Sequence, residues 1–205
     1  MNRIAGEARR LARAGERMSE MEQNDWEKCV AFHGHECGGL TIGYKAALYA
    51  IELLELKFSD DEQVVCIAEN DACGVDAIQV ILGCSVGKGN LLFRMRGKQA
   101  FSFYNRKSGK SVRLVLKKRP AGMSREESFH YYQSLEPAEM FEVKEAMAVV
   151  PERACIFRSL ECEECGEATA ENMLRLETVS YTHLDVYKRQ FPMEITRNIN
   201  WEWTA

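Results

Sequence analysis

Apolar residues in the first half of the chain recur at spacings that predict three helices and one buried strand. The strongest pattern covers residues 40–56, where apolar side chains repeat at helical spacing with few helix breakers. Shorter helices are predicted over 26–32 and 75–82, and the β-branched run at 63–69 predicts a buried strand. The long helix is therefore expected to belong to the hydrophobic core.

In the middle of the chain apolar and polar residues alternate, which predicts strands with one buried and one solvated face. Three such strands are predicted over 91–94, 100–104 and 112–116, in a hairpin region with glycine-containing turns. Two helices are then predicted over 124–135 and 137–147, the first beginning with capping-box spacing. Together these patterns predict the α+β class, with an antiparallel sheet packed against helices.

The chain divides into four segments along its length. The charged residues 1–22 predict an N-terminal helical extension, and residues 23–150 carry the α+β pattern. Residues 151–178 have the character of a partial zinc ribbon, and residues 179–205 fit neither a ribbon nor a helix. We therefore expect one α+β domain followed by a small, incomplete zinc-ribbon module.

The segment that begins at residue 179 is unusual when it is translated back into DNA. Residues 179–190 can be encoded by an inverted repeat that resembles two head-to-head transposon ends used in sequencing-library preparation. The hypothesis is that the native sequence stops near Thr178 and that residues 179–205 are an artefact of adaptor and read-through. Such segments are not expected to be part of the native fold. Codons without the inverted repeat in the nucleotide record would contradict the hypothesis.

Composition limits the classes of function. With 205 residues, 46% of them hydrophobic, the chain can bury the core of one domain plus a small appendage. The net charge is -4 and no face is evidently basic, which disfavours nucleic acid and anionic membranes as partners. The apolar runs are too short to span a bilayer and the N-terminal region has no apolar signal segment, so a cytoplasmic protein is expected.

Candidate chemistry concentrates in the segment 32–40, where His33, His35 and Cys37 occupy alternate positions. The glycine between the histidines allows a tight turn, so the three donors can converge on one ion. Imidazole nitrogen and thiolate sulfur suit zinc, iron, nickel or copper. The N-terminus of the following helix favours a thiolate at Cys37, which is therefore also a candidate catalytic nucleophile. The alternative is a glycine-rich helix start whose histidines only cap or pack.

A second group of functional side chains follows the predicted strand at 63–69. Asp71 and Cys73 lie on a strand-to-helix turn, where functional residues are common. Both residues are candidates either for further metal ligands, with Cys73 expected as the fourth, or for proton and thiol chemistry beside the metal. Asp71 and Asp76 can also be interpreted as helix caps and nothing more.

Two further motifs carry weaker or incomplete signals. The glycine-rich turn at 83–90 lacks Walker spacing, and its Lys88 is a candidate anion contact. Cys162 and Cys165 form a CxxC-Gly knuckle, the turn that places two thiolates on one tetrahedral zinc. A zinc ribbon needs a second ligand pair, and no cysteine follows Cys165. A structural zinc is expected there only if the missing pair is supplied.

The eight cysteines are many for a cytoplasmic chain, where reduced thiols serve as ligands or reactive groups more often than as disulfides. Half of them fall outside the motifs above. We expect these four to be small buried residues, the usual state of a free cysteine: Cys29, Cys66, Cys84 and Cys155.

Four motifs occur in the order found in one known family. They stand at 32–44 (FHGHECGGLTIGY), 70–79 (NDACGVDAIQ), 83–90 (GCSVGKGN) and 101–106 (FSFYNR). Together they resemble the FmdE family, named after one of the subunits of formylmethanofuran dehydrogenase. The resemblance implies an α+β domain followed by a small zinc ribbon, a homodimer, and an association with a molybdenum or tungsten enzyme. The family commonly has proline where this chain has Gly38, which leaves the loop less rigid.

The first functional hypothesis is a metal-dependent accessory protein or small redox enzyme of molybdenum or tungsten C1 metabolism. A transition metal at His33, His35, Cys37 and Cys73 would be its centre, with zinc expected first and iron or nickel after it. The second hypothesis is a non-enzymatic metal-trafficking or assembly factor for a molybdenum or tungsten enzyme. A thiol-based redox enzyme and a purely structural paralogue are two more hypotheses. The chain lacks the cluster motifs of a pterin-binding catalytic protein.

Overall fold

The computed structural model describes residues 24–150, 153–154, 156–177 and 180–183. They belong to two units, Met1–Ala154 and Cys155–Ala205. The predicted N-terminal helical extension, Cys155 and most of the proposed artefact segment lie outside the described residues.

The centre of the first unit is a five-stranded mixed sheet in the order β2-β1-β3-β4-β5. All neighbouring strands are antiparallel except β1 and β2, which pair in parallel. The predicted α+β class is confirmed, but the expectation of an all-antiparallel sheet is wrong at this one pair. The strands are β1 (Val64–Ala68), β2 (Leu91–Phe93), β3 (Ala100–Asn105), β4 (Ser111–Leu116) and β5 (Phe141–Lys144).

Helices accompany the sheet, and most of them lie where the apolar pattern predicts. Helix α2 contributes nine buried residues to the core, and α3 connects β1 to β2. This connection explains the parallel pair, because parallel neighbours need a crossover rather than a tight hairpin. The helices are α1 (24–33), α2 (Gly38–Leu54), α3 (Gly74–Leu82), α4 (Arg125–Ser134) and α5 (Pro137–Met140).

The helix predicted over 137–147 is wrong beyond its first turn. Only α5 is helical, and the chain continues as the edge strand β5, which pairs with β4 in the register Leu116 to Phe141. Phe141 is buried by this pairing. Tertiary pairing has therefore overridden the local helical signal, since propensity is only a weak prior. The capping box predicted at the start of α4 is present between Ser124 and Glu127.

The alternating pattern predicts a solvated outer face for the sheet, but a later segment covers part of it. Val65, Ile67 and Tyr104 form a small cluster there, and residues 146–150 pack against it. The Tyr104 hydroxyl donates to the Ala148 carbonyl at 2.9 Å. Strand β1 is buried along its whole length, so both of its faces need a cover.

The second unit is built from short hairpins. Strand β6 (Ser159–Glu161) pairs with β7 (Ala168–Ala170), and a 3₁₀ turn leads to β8 (Leu174–Glu177), which pairs with β9 (Ser180–His183). Across both units, no helix in the described part of the chain is long and apolar enough to cross a membrane.

Candidate metal centre

The end of α1 and the start of α2 bring the three predicted donors together. Helix α1 ends at His33, and the Gly34 N–H donates to the Val30 carbonyl at 2.7 Å. Gly34 then adopts φ +92, a left-handed conformation that glycine takes without steric cost. As a result, His33, His35 and Cys37 each offer one ligand atom, and these three atoms lie within 4.8 Å of one another. A candidate His/Cys metal site is therefore present in the fold.

Cys37 is the N-cap residue of α2. Its Sγ accepts a hydrogen bond from the Leu40 N–H at 3.3 Å, and the Thr41 hydroxyl donates to its carbonyl at 3.1 Å. The side chain thus takes the place of the usual oxygen cap, and only 8% of the residue is exposed. These contacts fix the position of the sulfur beside the two histidines.

His33 is oriented by an acidic residue from another helix. Its Nδ1–H donates to Asp76 Oδ2 at 2.7 Å, while its Nε2 lies 3.8 Å from Cys37 Sγ. Because an ionised carboxylate only accepts hydrogen bonds, Nδ1 is the donor in this contact and Nε2 is the nitrogen that faces Cys37. This is the carboxylate–histidine arrangement that typically supports a metal-bound imidazole.

Asp76 is the residue of the candidate site for which the sequence pattern offered only the interpretation of a helix cap. It stands in the first turn of α3 and also accepts a hydrogen bond from the Gln79 side-chain amide at 3.3 Å. The interpretation as a pure helix cap is not what the structure shows, since Asp76 contacts His33. The available signal was its place in the motif at 70–79, three residues after Cys73.

Cys73 lies beside Cys37, although it stands outside the group of three mutually close donors. Burial raises the pKa of the Cys73 thiol, and the charge and hydrogen bond of the neighbouring Cys37 raise it further. Gly39 leaves room for both sulfurs: a Cβ there would lie 3.5 Å from Cys73 Sγ and 3.8 Å from Cys37 Sγ. The two thiols therefore form a contacting pair at the edge of the His/Cys cluster.

A close contact between two glycines sets the distance between α2 and α3. A Cβ added at Gly43 would overlap the carbonyl and Cα of Gly74, and a Cβ added at Gly74 would lie 3.0 Å from the Gly43 nitrogen. Gly74 directly follows Cys73 and precedes Asp76 by two residues. The glycine pair thus allows α3 to approach until Asp76 reaches His33.

Asp71 lines a cavity of about 370 Å³ together with His33, Cys73 and Asp76. Its side chain is exposed, and it is near the cluster without belonging to the group of three donors. Lys88 lies elsewhere: its Nζ donates to the Ser59 carbonyl at 2.8 Å and stands 5.8 Å from the centre of the Phe58 ring. The structure therefore gives Lys88 a role in joining two loops.

The predicted knuckle in the second unit forms a tight turn. The Gly166 N–H donates to the Cys162 carbonyl at 2.7 Å, and the Cys162 N–H donates to the Glu167 carbonyl at 3.0 Å. Cys162 is buried and Cys165 is exposed. Within the residues that the structure describes, no further His, Cys, Asp or Glu forms a group of three donors with them. The predicted turn is therefore present, and the binding of zinc by Cys162 and Cys165 stays a prediction.

Three of the four cysteines expected to be buried small residues are buried. Cys29, Cys66 and Cys84 are fully inaccessible. Burial raises the pKa of Cys29 and of Cys84 to about 12, and it holds the pKa of Cys66 well above its usual value. These thiols are therefore protonated at neutral pH and are separate from the contacting pair Cys37 and Cys73.

The fold and these donors define the class: an α+β protein with a candidate His/Cys metal centre at a helix N-terminus. Residues 32–164 match the family model described as FmdE, molybdenum formylmethanofuran dehydrogenase operon, which is more than half of the chain. The chain belongs to this family, as its four motifs predict. Membership supports an accessory protein of the formylmethanofuran dehydrogenase type.

Two individual proteins extend the comparison. A crystal structure of a tungsten formylmethanofuran dehydrogenase FmdE-like protein from Syntrophus aciditrophicus superimposes with a TM-score of 0.57 at 21% identity, covering 84% of this chain and 94% of that one. This likeness supports the fold. A protein of Archaeoglobus fulgidus, described as a probable S-adenosyl-L-methionine-binding protein, is 27% identical over 168 residues, which are 66% of this chain. The chain spans 46% of the length of that relative.

Proposed function

We propose that this protein is a metal-binding accessory protein of a formylmethanofuran dehydrogenase-type system. His33, His35 and Cys37 would hold one transition-metal ion, with Cys73 as the fourth ligand and zinc as the favoured metal. The observation that carries the proposal is the hydrogen bond between His33 and Asp76 at 2.7 Å. In metal sites the ligating imidazole almost always donates its other ring N–H to a carboxylate, a carbonyl or water, and this contact has that form.

The spacing of the donors supports zinc. In a tetrahedral site, Zn–N bonds of about 2.0–2.1 Å and Zn–S bonds of about 2.3 Å bring nitrogen and sulfur to about 3.5 Å from each other. The 3.8 Å between His33 Nε2 and Cys37 Sγ is close to this value. A set of two imidazoles and two thiolates is also one that zinc commonly takes. Iron and nickel accept the same donors and are the competing metals.

A metal held by His33, His35 and Cys37 alone would keep an open position and could act there as a Lewis acid, whereas Cys73 as the fourth ligand would close that position. Asp76 would hold His33 in its ligating tautomer, and the Leu40 N–H would stabilise the charge on Cys37. Asp71, exposed on the wall of the 370 Å³ cavity, is the group proposed to exchange protons with the solvent there. In an assembly or trafficking role, the exposed His35 is the ligand from which a partner would take the metal.

The contacting thiols favour a second candidate function, a small thiol-based redox enzyme. Cys37 and Cys73 are joined by a hydrogen bond, and Cys37 is held at a helix N-terminus. Such a thiolate is the expected nucleophile of thiol exchange. A homodimer, and a molybdenum or tungsten enzyme as partner, are further parts of the proposal that rest on the family resemblance.

Metal analysis of the purified chain tests the proposal. We expect about one equivalent of a transition metal in the wild type, lost in His33→Ala and in Cys37→Ala. Cys165→Ser is the matched control, because it removes a thiol of the knuckle and leaves the His/Cys cluster intact. Full metal content in both cluster variants would remove the proposed centre. A metal-free wild type with thiol–disulfide exchange that depends on Cys37 would favour the second function.

A further inference from the structure

A second and larger cavity reaches the same two thiols. It has a volume of about 500 Å³, and both Cys37 and Cys73 line it. A volume of this size is typical of sites for small organic molecules. Neither His33 nor His35 lines it, so the cavity belongs to the sulfur side of the cluster and not to the imidazole side.

The charges around the two cavities have opposite sign. Among the described residues, the 500 Å³ cavity is lined by Arg119 and Arg125 and by no carboxylate. The 370 Å³ cavity is lined, within the same part of the chain, by Asp71 and Asp76 and by no lysine or arginine. Cys73 lines both cavities. An anion that approaches the thiol pair is therefore attracted through one cavity and repelled from the other.

The two guanidinium groups have donors to offer to a ligand. Arg119 Nη1 donates to the Met123 carbonyl at 3.3 Å, which uses one of the five N–H groups of that side chain. Arg125 is exposed at the first position of α4, where the capping box between Ser124 and Glu127 already satisfies the helix end. Planar N–H forks of this kind match the oxygen pairs of carboxylates and phosphates.

Apolar groups and glycines complete the cavity. Ile42, Leu116 and Tyr132 give it an apolar wall. Gly38 and Gly39 also line it, and the position of a Cβ on Gly39 lies within 3.8 Å of both sulfurs. Because glycine has no side chain, no side-chain atoms at this position stand between the cavity and the thiol pair. A ligand in the cavity can therefore reach the sulfurs.

We propose that this cavity binds a small organic anion, a carboxylate or a phosphate, whose charged group pairs with Arg119 and Arg125. Its apolar body packs against Ile42, Leu116 and Tyr132, next to the sulfurs of Cys37 and Cys73. The inference deepens the proposed function, on which it rests, by naming the class of ligand that reaches the same thiols.

Two alkylating reagents of nearly equal size test the inference in the metal-free full chain. Iodoacetate carries a carboxylate and iodoacetamide is neutral. In both reactions the thiolate sulfur displaces iodide from the methylene carbon, so an S–C bond forms and a C–I bond breaks. The rates of both reactions at Cys37 and Cys73 are measured by peptide mass spectrometry. Both rates are proportional to the fraction of thiolate, so their ratio does not depend on that fraction. The ratio therefore reports the attraction of the cavity for the negatively charged reagent.

We expect the iodoacetate-to-iodoacetamide ratio to fall about three- to tenfold in the double variant Arg119→Gln/Arg125→Gln, as the loss of two nearby positive charges predicts. Lys118→Gln is the matched control, because Lys118 is an exposed neighbour of Arg119 that does not line the cavity. Its ratio should equal that of the wild type. Inorganic phosphate should also slow the iodoacetamide reaction of the wild type and not that of the double variant.

An unchanged ratio in a folded double variant, or an equal fall in Lys118→Gln, would overturn the anion site. The thermal midpoints of all variants establish that they are folded. Metal content distinguishes a wrong anion site from a wrong proposed function. The double variant should keep the metal content of the wild type, because the two arginines are not proposed metal ligands. Cys37→Ala should lose the metal.

Discussion

His33 and Asp76, 43 positions apart in the sequence, are joined by a hydrogen bond of 2.7 Å between Nδ1 and Oδ2. This bond ties the loop that carries the three donors to the first turn of α3. Because α3 also begins beside Cys73, one contact fixes both the orientation of His33, a candidate ligand, and the position of the second thiol relative to the first.

Replacing Asp76 by asparagine should weaken metal binding. A neutral amide oxygen is a weaker acceptor for the Nδ1–H than a carboxylate, so His33 loses the group that holds its tautomer and raises its basicity. Loss of such a partner typically costs about 10- to 100-fold in metal affinity. Competition against a chromophoric chelator measures the change. Asp71→Asn is the control on the same cavity, and an equal loss in that variant would contradict an orienting role for Asp76.

Gly43→Ala should separate α2 from α3. The added Cβ overlaps the Gly74 backbone, which cannot rotate away as a flexible side chain would. We expect a loss of about 3 kcal/mol in the free energy of unfolding, measured with urea, together with weaker metal binding. Gly87→Ala is the control, because a Cβ there meets nothing within 4 Å. A destabilisation of equal size at both positions would contradict the close contact as its cause.

The ion pair of Glu69 and Arg113 should be important for stability because it is largely buried, with side-chain exposures of 4% and 18%. Two hydrogen bonds of 2.7 and 3.0 Å join the groups, and Arg96 lies 3.6 Å from the same carboxylate. Arg113→Met should lower the free energy of unfolding, measured with urea, by about 3 kcal/mol, because the buried Glu69 carboxylate loses most of its neutralising positive charge. Glu69→Gln in the same chain should recover part of the loss. No recovery would contradict an electrostatic origin.

The same pair predicts a direction for acid sensitivity. The hydrogen bond from Arg113 holds the pKa of Glu69 below its usual value of 4.5. The stabilisation is therefore complete above about pH 4.5 and is lost as the pH falls through the lowered pKa in the folded state. Urea unfolding between about pH 6 and pH 3 should show a shallower loss of stability in Glu69→Gln than in the wild type. Parallel curves would contradict the assignment.

Alkaline pH should destabilise the fold through its buried thiols. Burial raises the pKa of Cys84 from its usual 9.0 to about 12, so the unfolded chain releases this proton first. The contribution is fully present below pH 9 and is lost as the pH rises towards 12. Between these values Cys84→Ala should reduce the slope of stability against pH by about 1.4 kcal/mol per pH unit. Equal slopes in the wild type and the variant would contradict this.

Local patterns predict α2, α3 and β1 because their apolar residues repeat within one element. The parallel pairing of β1 with β2 is not predictable in this way, because the sequence of neither strand alone specifies which strand it pairs with after a crossover connection. Residues 141–144 form strand β5 because the edge of β4 is open to pairing. The candidate site likewise has features that a local pattern predicts and features that depend on tertiary contacts. The three donors within five residues are predictable, whereas the role of Asp76 depends on a glycine contact between two helices.

Cys73 lines both the 370 Å³ cavity, whose charged lining residues are acidic, and the 500 Å³ cavity, whose charged lining residues are basic. With a cation bound on one side of this sulfur and an anion on the other, each would lower the electrostatic cost of the other's binding. Linkage requires the effect to be reciprocal, so the factor by which metal tightens anion binding equals the factor by which the anion tightens metal binding. Removal of the metal should therefore weaken anion binding by the same factor by which removal of the anion weakens metal binding.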